Sequence, residues 1–128
     1  MTKNKQTHVP PIRDIPATMQ AVVACDRGFE HVSVCEVPVP QVGPKQLLAR
    51  VDAAGVCTSN LKLIAQGQDH TFINGWDLSR WPIILGDEGA VTLVKVGEDL
   101  AHRFQVGQRF VIQPAVNLAP GPHRPLQG

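Results

Sequence analysis

Eleven glycines and eleven prolines cut this 128-residue chain into short apolar runs, and that spacing limits the fold more than any other feature. Long helices need uninterrupted stretches, whereas short strands tolerate frequent turns. Residues 19–25 read as a first strand, closed by the turn triplet Asp26-Arg27-Gly28. Residues 31–37 alternate strictly, with Val32 and Val34 on one side and His31, Ser33 and Cys35 on the other. This predicts a half-buried strand. Further strands are expected over 46–54 and 91–96, and after the turn at Val106-Gly107-Gln108. The fold class is therefore mainly β, as a barrel or sandwich with one or two short helices.

One helix is expected between Thr58 and about Gln66. The polar trio Thr58-Ser59-Asn60 can cap it, and Leu61, Ile64 and Ala65 fall at the offsets of one helix face. Cys57 then stands just before a helix N-terminus, where the dipole favours a thiolate. Such a thiolate can act as nucleophile or metal ligand. A lone cysteine is more often a small buried apolar residue. Cys25 and Cys35 have no histidine or second cysteine near them in sequence and are expected to be packing residues. The polar loop 67–81 carries Asp69, His70, Phe72, Trp76, Asp77 and Trp81. A loop of this length is often functional. It is equally well read as a surface excursion packed down by its two tryptophans.

Composition removes several function classes. A net charge of +1 gives no basis for binding nucleic acid or an anionic membrane. No apolar run is long enough for a helix to span a bilayer, and the polar N-terminus does not read as a secretory signal. Three widely spaced cysteines suit a reducing cytoplasm better than a disulfide scaffold. Residues 1–18 read as a flexible arm, and the segment from 113, Pro-rich and polar, contains no further cysteine.

A strand and four motifs after it, in order, carry a resemblance. Ala53-Ala54-Gly55-Val56-Cys57-Thr58-Ser59 follows a strand. Pro82-Ile83-Ile84-Leu85-Gly86-Asp87-Glu88-Gly89 comes next. Then follow Val94-Lys95-Val96-Gly97-Glu98-Asp99-Leu100 and Val106-Gly107-Gln108-Arg109-Phe110-Val111. Together they resemble the N-terminal GroES-like catalytic domain of the zinc-containing alcohol dehydrogenase, or medium-chain dehydrogenase/reductase, family. The resemblance implies a partly open GroES-like β-barrel over 19–114, with 115–128 a Pro-rich tail at the start of a missing remainder. It also implies a zinc-dependent, NAD- or NADP-linked alcohol or polyol dehydrogenase, in which Cys57 and Asp87 match metal-ligand positions. Ser59 matches the proton-relay serine, and Glu88 the neighbouring acid. The substrate would be a small alcohol, polyol or carbonyl compound, and a homo-oligomer is possible.

The chain departs from the pattern at three places. Asp87 stands where a histidine is expected, Asn60 where an acid usually follows the relay serine, and the tail lacks the cysteines of a structural zinc lobe. The loop at 67–81 resembles the longer loop of polyol and sugar-phosphate members, and within it His70 is a candidate replacement ligand, or else a solvated histidine. No Gly-x-Gly-x-x-Gly occurs, so the Rossmann domain and a third ligand are expected elsewhere, with this chain a part of a longer protein. Two alternatives remain open. One is a non-enzymatic GroES-like binding or assembly module, since fold alone does not choose function. The other is a metal-free, degenerate member of the family.

Overall fold

The computed structural model describes residues 14–71, 73 and 76–112. The expected arm over 1–13, Phe72 and the expected tail from 113 lie outside these residues. Among the described residues there are six strands and one α-helix: β1 (Thr18–Ala24), β2 (Val32–Pro38), β3 (Leu47–Gly55), α1 (Thr58–Gln66), β4 (Ile83–Ile84), β5 (Glu88–Val96) and β6 (Arg109–Val111). They form two three-stranded antiparallel sheets, ordered β2-β1-β4 and β3-β5-β6. The fold is mainly β, an open part of a GroES-like barrel. No helix among the described residues is long and apolar enough to cross a membrane.

Each expected strand exists, and pairing with β1 decides which side of β2 faces inward. On β1, Ala21 and Val23 are buried, and their cross-strand partners are Cys35 and Ser33. Cross-strand partners share a face, so Cys35 points inward and Val34, opposite Val22, is 66 % exposed. The expected period holds, and the structure decides that the Cys35 side is the inner one. Cys35 is half-buried, as a packing residue should be, whereas Cys25 is exposed and its thiol lies 3.3 Å from the His31 carbonyl oxygen.

Helix α1 is held at both ends. Its last carbonyls would lack partners, and the β1–β2 turn supplies them. Gly28 N–H donates to Ile64 O at 2.8 Å and Arg27 Nε–H donates to Ala65 O at 2.9 Å. Gly67 N–H donates to Leu63 O. Gly67 has φ +57°, and a β-carbon there would meet Arg27 Cβ at 2.7 Å, so this stop requires glycine. The buried positions of α1 are Asn60 and Ile64. Leu61 is 47 % exposed and Ala65 is exposed, so the expected Leu61–Ile64–Ala65 face is rotated toward Asn60.

The 67–81 loop is anchored differently from the tryptophan packing considered above. Leu78 is buried, whereas Trp81 is 56 % exposed beneath the Arg80 guanidinium. The Trp76 indole N–H ties the loop by donating to Trp81 O at 2.7 Å.

Between the two sheets runs a cleft of about 520 Å³, lined mainly by apolar residues such as Met19, Leu48, Ile84 and Val94 and reaching Asp87 and Glu88. On the second sheet, β3 bulges between Val51 and Ala53, leaving Asp52 outside the paired register. Its side chain binds three strands: it accepts from Arg50 Nε at 2.7 Å, from the Thr92 hydroxyl of β5, and lies 4.0 Å from Arg109 Nε of β6. Thr92 first, then Arg50, hold the Asp52 carboxyl below the ordinary carboxylate range.

A lowered native value means that this stabilisation is fully present above the ordinary carboxyl range and is lost as pH falls through the native value. Asp52→Asn is therefore expected to lower Tm at neutral pH, with the gap to the parent closing in acid. Thermal unfolding followed across pH checks this, and a gap that stays constant into strong acid would refute the assignment.

Candidate functional site

The ladder between β3 and β5 builds the site. Gly55 pairs with Glu88 and Ala54 with Gly89. Cys57 follows two residues after Gly55, and Asp87 immediately precedes Glu88. Asp87 N–H donates to Gly55 O at 3.4 Å, closing the end of the ladder. The turn before Asp87 uses Gly86 at φ +116°, a backbone conformation that side chains strongly disfavour.

Cys57 itself is the N-cap of α1, with its sulfur 3.4 Å from the Ser59 amide nitrogen that donates to it. The expected capping trio instead forms the first helical turn. Consequently Ser59 and Asn60 turn toward the same point as the thiol. Cys57 Sγ and Ser59 Oγ lie 2.7 Å apart. The thiol donates to Asp87 Oδ2 at 3.1 Å, and the Ser59 hydroxyl donates to the same oxygen at 2.8 Å. Sγ, Oγ and Oδ2 thus close a triangle of heteroatoms. The other carboxylate oxygen, Oδ1, accepts from Asn60 Nδ2 at 2.9 Å.

The orientation of the Asn60 amide follows from its second partner. Gly86 N–H can only donate, and it lies 3.0 Å from Asn60 Oδ1. The Nδ2 end therefore faces Asp87. Hydrogen bonds from Cys57, then Ser59, then Asn60 hold the Asp87 carboxyl below the ordinary range. The carboxylate also sits at the positive end of the α1 dipole.

Of the sequence candidates, Cys57, Ser59 and Asp87 meet. Glu88 stands beside them, exposed at the start of β5, with its Oε2 folded back within 3.4 Å of where a Gly55 β-carbon would lie. His70 does not join them. It is 6 % exposed rather than solvated. Among the described residues no three His, Cys, Asp or Glu side chains gather closely enough to hold a metal ion. From sequence Asn60 is only a departure from the pattern, and its bond to Asp87 is not foreseen there. The sequence shows only that both positions depart from the pattern; that they face each other is a fact of the tertiary structure.

The donors can be compared with a zinc site. Zinc–sulfur and zinc–oxygen bonds of about 2.3 and 2.0 Å at a tetrahedral angle separate the two ligand atoms by about 3.5 Å. Cys57 Sγ and Asp87 Oδ2 stand 3.1 Å apart. A cation would take the place of the proton now bridging them, and the separation would open by a few tenths of an ångström. The spacing of Cys57 Sγ and Asp87 Oδ2 is thus close to that of two zinc ligands.

The family model for the alcohol dehydrogenase GroES-like domain matches residues 43–124, and the chain belongs to that family. It is 36 % identical over 87 residues to a sorbitol dehydrogenase of Bombyx mori, covering 68 % of this chain and 23 % of the relative. It is 37 % identical over 87 residues to an L-sorbose 1-phosphate reductase of Klebsiella pneumoniae, covering 68 % and 21 %. Among solved structures it resembles a candidate zinc-binding dehydrogenase of Sinorhizobium meliloti 1021 bound to NADP. That match has TM-score 0.57 and 28 % identity, and covers 73 % of this chain and 24 % of that one. The chain thus spans about a quarter of the length of these relatives.

Because Asn60 is buried, removing its acceptor leaves an amide donor unsatisfied. Asp87→Ala is expected to cost about 1–3 kcal/mol in denaturant unfolding. A loss within a few tenths would show that the bonds around Asp87 contribute little to the fold.

Proposed function

We propose that this chain is the catalytic-domain portion of a zinc-dependent, NAD- or NADP-linked dehydrogenase acting on an alcohol or polyol and its carbonyl partner. The observation that carries the reading is the convergence of Cys57 Sγ, Ser59 Oγ and the Asp87 carboxylate at one helix N-terminus, beside the cleft between the sheets. The barrel would occupy 19–114. The sorbitol dehydrogenase and sorbose-phosphate reductase relatives support the polyol class.

Cys57 and Asp87 would hold the zinc, with a third ligand from outside the described residues. When bound, the metal supplies a Lewis acid that makes a coordinated alcohol oxygen more acidic. Ser59 would receive the substrate proton at Oγ. Its own proton now bonds Asp87 Oδ2; with that oxygen on the metal, the hydroxyl would release its proton to water as it takes up the substrate's. Glu88, exposed and next to Asp87, would be the neighbouring acid. The apolar cleft lining would receive the carbon skeleton and exclude water. Hydride chemistry belongs to the nicotinamide, which a Rossmann domain outside this chain would bring. The protein would work in the cytoplasm, and association into homo-oligomers is consistent with this reading.

A second reading has its own observation. Both Asp87 oxygens already accept protein hydrogen bonds, so the cluster is closed without a metal. Metal analysis of the full-length protein separates the two. The zinc reading expects Cys57→Ala to abolish catalytic-site metal, other zinc sites being accounted for. Unchanged metal content in that variant, or full activity in a metal-free parent, would favour the second reading. In the zinc enzyme, Ser59→Ala is expected to lower kcat by about 10²–10⁴-fold through loss of proton transfer. An unchanged kcat would remove Ser59 from the relay.

A further inference from the structure

Two departures from the family pattern, Asn60 and Asp87, are in direct contact. We propose that they are one compensated exchange, in which Asn60 is the positioning residue for Asp87 and the polarity of the supporting hydrogen bond is reversed. Where a histidine binds metal, its free ring N–H donates outward and a carboxylate accepts. Here the group at 87 is the carboxylate and must accept, so its partner must donate. Asn60 Nδ2 does so at 2.9 Å. An acid at 60 would instead set two carboxylates against each other.

The amide also has a duty that fixes its direction. Oδ1 accepts from Gly86 N–H at 3.0 Å, so Nδ2 is turned to Asp87 and cannot flip without breaking both bonds. Asn60 is 6 % exposed, which makes the arrangement costly to disturb. With Oδ1 of Asp87 engaged by Asn60, Oδ2 is the oxygen presented to Cys57 and Ser59. The exchange thus preserves an oriented ligand at 87 rather than marking a site that has decayed. The metal part of this inference rests on the zinc reading above; the pairing does not.

The test is a two-background comparison on the full-length protein. With metal removed, Asn60→Asp should lower Tm by about 2 °C or more, or prevent folding, when Asp87 is retained. The same substitution should raise Tm in the Asp87→His background, where an acceptor is then needed. A change of the same sign in both backgrounds would overturn the pairing. The second readout is cobalt(II) titrated into the protein and followed by its thiolate charge-transfer band. Asn60→Ala should weaken cobalt affinity by about 10- to 100-fold while retaining the band from Cys57. Unchanged affinity would overturn the positioning role. A parent that binds no cobalt would refute the zinc reading, and the sign reversal alone would then decide the pairing.

Discussion

The antiparallel ladder between β3 and β5 is the constraint on which the rest of the structure depends. It pairs Gly55 with Glu88, and by doing so brings the residues just beyond each strand, Cys57 and Asp87, to one place. These residues are thirty positions apart in the chain. A slip of one residue would reverse the facing of every side chain on the shifted strand and separate the thiol from the carboxylate. The bulge at Asp52 reinforces the register, because its carboxylate engages groups on all three strands of the sheet.

Helix α1 transmits that placement into chemistry. Its C-terminal carbonyls are held by the β1–β2 turn through Arg27 and Gly28, and its N-terminal turn carries Ser59 and Asn60 to the Asp87 carboxylate. The helix is only nine residues long, so its order depends on these tertiary bonds more than on propensity. Asp87, the carboxylate of the polar cluster, also lines a mainly apolar cleft. This juxtaposition gives a charged group at a wall that can take a carbon chain, the usual design of a small-molecule site.

The β-rich architecture, the helix from Thr58 and the turn at Gly107 were legible in the sequence, because glycine and proline act locally and periodicity needs no distant partner. The cysteine–serine and Gly-Asp-Glu motifs were legible too, as was the family they belong to. The inward face of β2 was not. Alternation gives the period of a strand, but which side is buried depends on what covers it, and here Cys35 lies opposite buried Ala21. His70 was read as a loop histidine open to solvent or ligand, yet the fold buries it away from Cys57 and Asp87.

The helix face and the meaning of Asn60 show where that boundary falls. By itself the sequence determined the elements and their chemical types, because backbone propensity and turn chemistry are set by neighbours along the chain. Only the tertiary structure decided that Asn60, rather than Leu61, turns inward. It also decided that an amide and a carboxylate that look like two separate losses form one bonded pair. The physical reason is that hydrogen bonds act over about 3 Å, and only the β3–β5 pairing brings positions 60 and 87 within that distance.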